Sequence, residues 1–189
     1  MIMSSCKRIC ITDRTLCADP LPEHLERLAL RKLIDGVIVR EKDLSENEYE
    51  MLLRQILAVC SKACIECVAH SFVEVAQRLD VTTIHLPLPV LRAQGKPFGF
   101  KRVGTGVHSL EEVYEAQCLG ADYLIASHIF STDCKPGIAP RGPSFLRSVL
   151  AVATVPVYAL GGISDNNERE VIATGVRGVC RMSDYMKRA

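Results

Sequence analysis

The sequence contains no tryptophan, and aromatic residues make up only 5% of it. It also carries almost no net charge, with 23 basic and 22 acidic side chains and a formal charge of +1. Proteins that bind nucleic acid combine a basic surface with aromatic side chains that stack on bases. Neither feature is present, so we expect no nucleic-acid partner.

Long apolar runs are also absent, although hydrophobic residues make up 48% of the chain. No run reaches the ~18 residues that a membrane-spanning helix requires. The opening MIMSSCKRICITDR has neither the apolar segment nor the small-residue cleavage site of a secretory signal. We therefore expect no membrane partner and a cytoplasmic location.

Cysteine is plentiful, with nine residues scattered through apolar segments. An odd number without a secretory signal indicates reduced thiols, not a disulfide framework. The densest group is CSKACIEC, with Cys60, Cys64 and Cys67, but no second Cys or His pair completes a zinc site. We predict core thiols and no metal site.

Short β-branched runs alternate with helical patterns along the whole chain. The runs are continuously apolar, which is typical of parallel strands buried on both faces. Eight such units predict an α/β fold, a short (β/α)8 TIM barrel forming one domain over residues 1–189. A doubly wound sheet is the alternative, because TIM barrels typically have ~250 residues. Three helix starts show a cap residue followed three positions later by an acid: Ser45 with Glu48, Ser109 with Glu112, and Asp165 with Glu168.

Functional groups of TIM barrels follow the C-terminal ends of the strands. Four of the five histidines fall at these predicted positions, as do one arginine and one threonine: His70, His85, His108, His128, Arg40 and Thr105. Among them His128 is the candidate catalytic residue, since histidine can accept and return a proton near neutral pH. The structural alternative is a histidine satisfied by backbone hydrogen bonds.

Two loops near the C-terminus predict a phosphate site. In LGGISDNNE, Gly161 and Gly162 follow the seventh strand and precede a helix start. Glycine lets the backbone approach a ligand, and helix N-termini attract anions. Met182 and Ser183 begin the corresponding turn after the eighth strand, and TIM barrels frequently bind phosphate with these two loops. The alternative is that the glycines only form a tight turn.

The segment after the sixth strand, SHIFSTDCKPGIAPRG, is a long polar loop that begins with Ser127 and His128. It exceeds the ~12–15 residues beyond which structureless loops are usually functional or disordered, and we interpret it as a lid. Cys134 on this loop is an alternative nucleophile that His128 could activate.

These motifs resemble the thiamine-phosphate synthase/TenI superfamily over nearly the whole chain. The similar segments are ITDR, VREK, VHSLEE, GADYLIASHIFSTDCKPG and VYALGGISDNN…GVRGVCRMS. A histidine before Ile-Phe, followed by TDCK and then RG, is similar to the TenI-type branch, the thiazole tautomerases. The third strand departs from that branch, because HSF at 70–72 stands in place of an Asn-Gly-Arg-like turn.

The resemblance also implies what a synthase would need. Synthases carry Asn-Asp-Arg after strand three and Gly-Gln-x-Asp after strand four, which hold Mg²⁺ and a diphosphate. This sequence has HSF at 70–72 and PLPV at 87–90, without a carboxylate, and Ile38 replaces a glutamine that contacts the aminopyrimidine. Mg²⁺ prefers hard oxygen ligands such as carboxylates, so the substitutions favour the tautomerase.

For a tautomerase, the resemblance implies that a phosphorylated, carboxylated thiazole tautomer is converted into its aromatic isomer. His128 aligns with the catalytic histidine, Arg40 is the expected carboxylate contact and Lys135 contributes from the lid. His70 and Thr105 are further substrate-binding candidates. No cofactor or metal is expected, the partner is a small phosphorylated thiazole, and a homo-oligomer such as a dimer is the expected assembly.

Two other functions stay open. One is a thiamine-phosphate synthase. The other is a non-catalytic paralogue that binds a thiazole phosphate and regulates a partner, which would have no need of an ionisable group at His128. Arg40 also has a structural alternative, a salt bridge with Glu41 at the rim.

Overall fold

The computed structural model describes residues 6–132, 137 and 139–188. Eight parallel strands follow one another around a closed barrel, and β1 pairs with β8 to complete it. The strands are β1 Lys7–Ile11, β2 Gly36–Val39, β3 Glu66–His70, β4 Thr83–Leu86, β5 Arg102–Val107, β6 Tyr123–Ser127, β7 Val157–Leu160 and β8 Gly178–Arg181. The (β/α)8 TIM barrel predicted from the sequence is therefore confirmed, and the doubly wound sheet is wrong.

Helices connect the strands on the outside of the barrel, and a short 3-10 turn at Arg14–Leu16 follows β1. The helices are α1 Leu21–Leu30, α2 Glu46–Ala63, α3 Val73–Arg78, α4 Leu88–Gln94, α5 Leu110–Cys118, α6 Gly142–Val152, α7 Glu168–Ile172 and α8 Ser183–Met186. Within the described ranges, no helix is both long enough and apolar enough to cross a membrane.

The apolar side chains form two layers because successive residues of a strand point to opposite faces. The inner layer fills the barrel and consists of Ile9, Ile11, Ile38, Val68, Tyr123, Ile125 and Cys180. The larger outer layer packs the strands against the helices. Gly104 makes room for the inner layer, since a Cβ there would lie 2.0 Å from the Tyr123 ring.

Two of the three predicted helix starts are confirmed. Ser45 and Glu48 form a reciprocal capping box, and the Ser109 side chain accepts a hydrogen bond from the Glu112 N–H. The third is wrong, because α7 begins only at Glu168. The Asp165 carboxylate instead accepts hydrogen bonds from Arg181, at 2.7 Å, and Arg188, at 2.8 Å.

The cysteines of the described residues are free thiols, as the composition predicts. Cys10, Cys60 and Cys180 are buried. Cys67 is half-buried and Cys64 is exposed, so the prediction of core thiols is wrong for Cys64. Burial raises the pKa of the Cys10 and Cys180 thiols, which keeps them protonated and unreactive.

Candidate active site

A cavity of about 280 Å³ opens at the C-terminal ends of the strands, where TIM barrels carry their chemistry. Seven of the predicted site residues line it: Arg40, His70, His128, Gly161, Gly162, Met182 and Ser183. The cavity also includes His85 and His108, which the sequence placed at strand ends without a substrate-binding role. Three further residues line it for which the sequence indicated no role, namely Thr132, Arg181 and Asp184. Residues at the ends of several strands therefore line one cavity, and their functional roles stay predictions.

Two predicted residues do not fall in this group. Thr105 is not among the residues that line the cavity. It is fully buried, and it alternates along β5 with Gly106, which does line the cavity. The prediction that Thr105 contacts the substrate is therefore wrong. Lys135 and Cys134 lie outside the described residues, as does most of the predicted lid.

The loop after β7 approaches β6 very closely. Gly161 has φ +110°, and a Cβ at this position would lie 2.3 Å from the His128 Cβ and 2.7 Å from its Cα. Gly162 has φ +62°, and a Cβ there would lie 2.3 Å from the Ser131 carbonyl oxygen. Both glycines are therefore required by space as well as by backbone conformation.

Asn167 holds the same loop in shape. Its side-chain N–H donates to the Gly162 carbonyl at 2.8 Å, and its side-chain oxygen accepts from the Ser164 N–H at 2.9 Å. The two bonds bracket the turn that begins at the glycines. The loop is therefore preorganised before any ligand arrives.

His128 lies directly after β6 in the cavity wall and is only 3% exposed. Backbone hydrogen bonds fix the chain around it: the Ile129 N–H donates to the Leu160 carbonyl at 3.0 Å, and the His128 carbonyl accepts from the Arg141 N–H at 3.1 Å. The imidazole is thus placed beside the loop of Gly161, on a rigid part of the barrel.

His108 lies beside this segment and also lines the cavity. Its Nδ1 is 2.8 Å from the Ser127 carbonyl oxygen and 3.1 Å from the Ser127 hydroxyl. Because a carbonyl oxygen only accepts hydrogen bonds, Nδ1 of His108 is the donor in this contact. His108 therefore supports the residue that precedes His128.

The opposite wall contains two stacked imidazoles. The His70 and His85 ring centroids are 5.6 Å apart. Nδ1 of His70 is hydrogen-bonded to the Ser71 hydroxyl at 2.7 Å, and Nδ1 of His85 lies 3.3 Å from the Tyr123 hydroxyl. These contacts orient both rings toward one another above the inner layer of the barrel.

Both imidazoles are neutral near pH 7. Burial is the largest cause that lowers the pKa of His70 to about 2, and the neighbouring His85 imidazole and the positive charges of Arg40 and Lys42 contribute to this shift. Burial, then the charge of Arg40, lowers the pKa of His85 to about 4. Neutral imidazoles can donate and accept hydrogen bonds but make poor bases at such pKa values, so this wall suits ligand recognition.

Arg40 also lines the cavity, and its positive charge lies close enough to both rings to lower their pKa values. Its backbone N–H donates to the Thr12 hydroxyl at 2.8 Å, which fixes the start of the loop after β2. Glu41 turns away and accepts from Arg14 at 3.0 Å. The alternative of an Arg40–Glu41 salt bridge is therefore wrong.

The depressed pKa values predict acid sensitivity. Between pH 6.5, the usual pKa of histidine, and about pH 4, the unfolded chain binds protons at His70 and His85 while the folded chain does not. Their stabilisation is therefore complete above pH 6.5 and is lost as the pH falls toward 4 for His85 and 2 for His70. We expect the free energy of unfolding to fall by about 2 kcal/mol per histidine between pH 7.5 and 5.

Urea unfolding at the two pH values measures this effect. The double variant His70→Asn/His85→Asn should lose most of the pH dependence, while His24→Asn, on α1 away from the cavity, should keep it. An unchanged dependence in the double variant would contradict the assignment.

The residues of the cavity do not fit Mg²⁺. Ser71 and Pro87 follow β3 and β4, and Asp184 is the one carboxylate among the cavity residues of the described chain. Asp184 is already paired with Arg181, at 3.1 Å, and Arg188, at 2.9 Å. Across residues 6–132, 137 and 139–188, no three His, Cys, Asp or Glu side chains are grouped to hold a metal ion. The oxygen ligands that Mg²⁺ prefers are therefore missing from these positions.

Comparison with known proteins gives the same family as the sequence motifs. A sequence model of the family described as "Thiamine monophosphate synthase" matches residues 9–185. The chain belongs to this family. A thiamine-phosphate synthase from Shouchella clausii is 30% identical over 84% of this chain and 78% of its own. A relative from Aquifex aeolicus, provisionally named thiamine-phosphate synthase 2, is 31% identical over 94% of this chain and 96% of its own.

A solved structure is also similar. The thiamine phosphate pyrophosphorylase from Pyrococcus furiosus superposes with a TM-score of 0.82 and 29% identity, over 96% of this chain and 88% of that one. The superposed region therefore includes nearly the whole chain.

Proposed function

We propose that this member of the family is an isomerase that aromatises a phosphorylated, carboxylated thiazole tautomer by proton transfer through His128. The observation that carries the proposal is the position of His128, which lies in the wall of a cavity with two different groups of residues. One group forms a first surface in the loops after β7 and β8, and the other forms a second surface of Arg40 and the paired imidazoles.

Phosphate would bind on the first surface. Gly161 and Gly162 bring backbone close to the cavity, and Met182 and Ser183 enter it from the turn after β8. Small backbone-lined turns of this kind bind phosphate in many TIM barrels. Asp184 adds a carboxylate nearby, but its charge is balanced by Arg181 and Arg188.

The carboxylate would bind on the second surface. Arg40 follows β2, while His70 and His85 end β3 and lie on β4, across the barrel from β7 and β8. The guanidinium group pairs well with a carboxylate, and neutral imidazoles can hydrogen-bond it without adding a proton. A substrate held at both ends then presents its ring to His128 on β6.

His128 would act first as a base and then as an acid. It removes the proton from the ring carbon that bears the carboxylate, and the electron pair of that C–H bond enters the ring. The π electrons of the ring shift in turn, and the electron pair of the exocyclic double bond moves onto the exocyclic carbon. That carbon then receives a proton from the imidazolium. No net proton, electron or water is consumed, and the aromatic ring favours the product. Because the bound ring lies beside one group that both removes and returns the proton, both transfers occur within the same complex.

The names of the relatives favour a second candidate, a thiamine-phosphate synthase. In thiamine biosynthesis both activities use a thiazole phosphate, so the phosphate surface suits either one. The sequence argues against the synthase, because Ser71 and Pro87 follow β3 and β4, where the resemblance to synthases implies acidic partners for diphosphate and Mg²⁺.

Metal dependence separates the two candidates. We expect aromatisation of the tautomer to proceed at an unchanged rate in excess EDTA, and formation of thiamine phosphate from an aminopyrimidine diphosphate and a thiazole phosphate to stay at background with Mg²⁺. A strict Mg²⁺ requirement, with thiamine phosphate as product, would contradict the isomerase and establish the synthase.

A further inference from the structure

Arg181, the last residue of β8, is a buried cation for which the proposed chemistry has no direct use. Its side chain is only 1% exposed. One terminal nitrogen contacts Asp165 at 2.7 Å and Asp184 at 3.1 Å, and the other pairs with Glu168. In the described part of the chain, its Nε–H has no hydrogen-bond partner.

These three acids belong to different segments. Asp165 lies in the loop after β7, three residues beyond Gly162, and Glu168 begins α7. Asp184 lies in α8, directly after Ser183. A single guanidinium therefore connects the loop after β7 to the turn after β8, which are the two segments of the proposed phosphate surface.

Neighbouring groups strengthen this connection from outside. Arg188 also bridges Asp165, at 2.8 Å, and Asp184, at 2.9 Å. The Tyr185 ring lies 5.2 Å from both guanidinium carbons, those of Arg181 and Arg188. Arg8 contacts only the far acid, Glu168, at 2.7 Å.

Stability alone is a weak reason for burying this arginine. Replacing buried ion pairs with apolar side chains of similar size is often neutral or stabilising, and Arg181 also leaves one buried donor without a partner, which carries a desolvation cost. The geometry of the bridge accounts for its presence better, because a planar guanidinium holds several carboxylates at fixed angles.

We propose that Arg181 is a positioning residue that fixes the distance between the two phosphate-binding loops, and so sets the affinity for the phosphate group of the substrate. The inference rests on the proposed function for the identity of the ligand. Arg181 lines the cavity, but three carboxylates hold its guanidinium. We therefore expect it to act through the loops that contain Gly162 and Ser183.

The test measures by calorimetry the Kd of a thiazole alcohol and the Kd of its phosphate ester. The Kd of the alcohol divided by the Kd of the ester isolates the contribution of the phosphate group, and a high ratio means that the phosphate strengthens binding. In Arg181→Met we expect the Kd of the alcohol divided by the Kd of the ester to fall by about 10–100-fold, the usual effect of losing one hydrogen bond to a charged group. The Kd of the alcohol should stay within twofold. The matched control, Arg8→Met, removes another partner of Glu168 and should keep the ratio.

Arg181→Lys provides the second variant. It keeps the buried charge and should fold even if the methionine variant does not, but one ammonium cannot reproduce the planar bridge. We expect the ratio to fall at least fivefold in this variant too. A wild-type ratio in Arg181→Lys would overturn the positioning role. So would a wild-type ratio in an Arg181→Met protein that folds but unfolds at a lower temperature.

Failure of the proposed function gives a different result. If the wild-type protein itself binds the ester no better than the alcohol, the phosphate surface is wrong and the inference about Arg181 is overturned with it. If the wild-type ratio is large and the protein lacks isomerase activity, the binding result still supports Arg181, and only the proposed chemistry is wrong.

Discussion

Replacing His128 with asparagine is expected to slow aromatisation by about 10²–10⁴-fold, the usual contribution of a general acid–base group. Asparagine keeps a polar side chain of similar reach but cannot accept and return a proton at neutral pH. The imidazole lies in the cavity wall, so substrate binding should change little. Single-turnover absorbance measurements give the rate, and calorimetry with the thiazole phosphate should give a Kd within a few-fold of wild type.

A matched control uses the histidine outside the cavity. His24 is buried on α1, and its Nε2 lies 2.8 Å from the Tyr185 carbonyl. His24→Asn should retain the wild-type rate even if it lowers the unfolding temperature. Wild-type turnover in His128→Asn would show that another group transfers the proton.

Gly161→Ala is expected to abolish measurable activity and to lower the free energy of unfolding by about 3–5 kcal/mol. The added Cβ would lie 2.3 Å from the Cβ and 2.7 Å from the Cα of His128, so backbone would have to move. The movement displaces the proposed base and opens the phosphate loop together. Chemical denaturation and the single-turnover assay measure the two losses.

Gly175→Ala is the control for backbone conformation. Gly175 has φ +94°, close to the +110° of Gly161, and a Cβ there would have nothing within 4 Å. This variant should carry only the cost of a left-handed alanine, about 1–2 kcal/mol, and keep full activity. Equal losses in the two variants would show that the contact with His128 is unimportant.

The fold could be predicted from the sequence because its signals are local and repeated. Each strand is a short apolar run, and Ser45 and Ser109 mark helix starts through their own side chains. The exception, Asp165, has the same spacing to Glu168 but binds Arg181 and Arg188 instead. That choice depends on residues brought close only by the folded barrel.

The candidate site could be predicted in part, because the positions of the strand ends follow from the local strand signals. The rule that strand ends carry function placed His70 and His128 correctly in the cavity, but it could not decide which face of a strand a residue occupies. Thr105 therefore appeared as a candidate, although its neighbour Gly106 is the residue that lines the cavity.

Roles that depend on distant partners were invisible in the sequence. Burial and the charge of Arg40 keep His85 neutral, and the position of His108 depends on its contact with the Ser127 carbonyl. The sequence indicated no role for Arg181, because its three acidic partners lie in separate segments that only the folded barrel brings together. Long-range electrostatics of this kind has no signature in spacing.

The central claim is that this cavity aromatises a thiazole by proton transfer, and one assay tests it most directly. The purified protein is mixed with the unaromatised, phosphorylated thiazole tautomer, and the ultraviolet absorbance of the aromatic ring is followed in the presence of EDTA. The account predicts a rise that is proportional to protein concentration and falls by at least 10²-fold with His128→Asn. A wild-type rate equal to that of buffer alone, with the tautomer shown to bind, would contradict it and favour a non-catalytic binding protein.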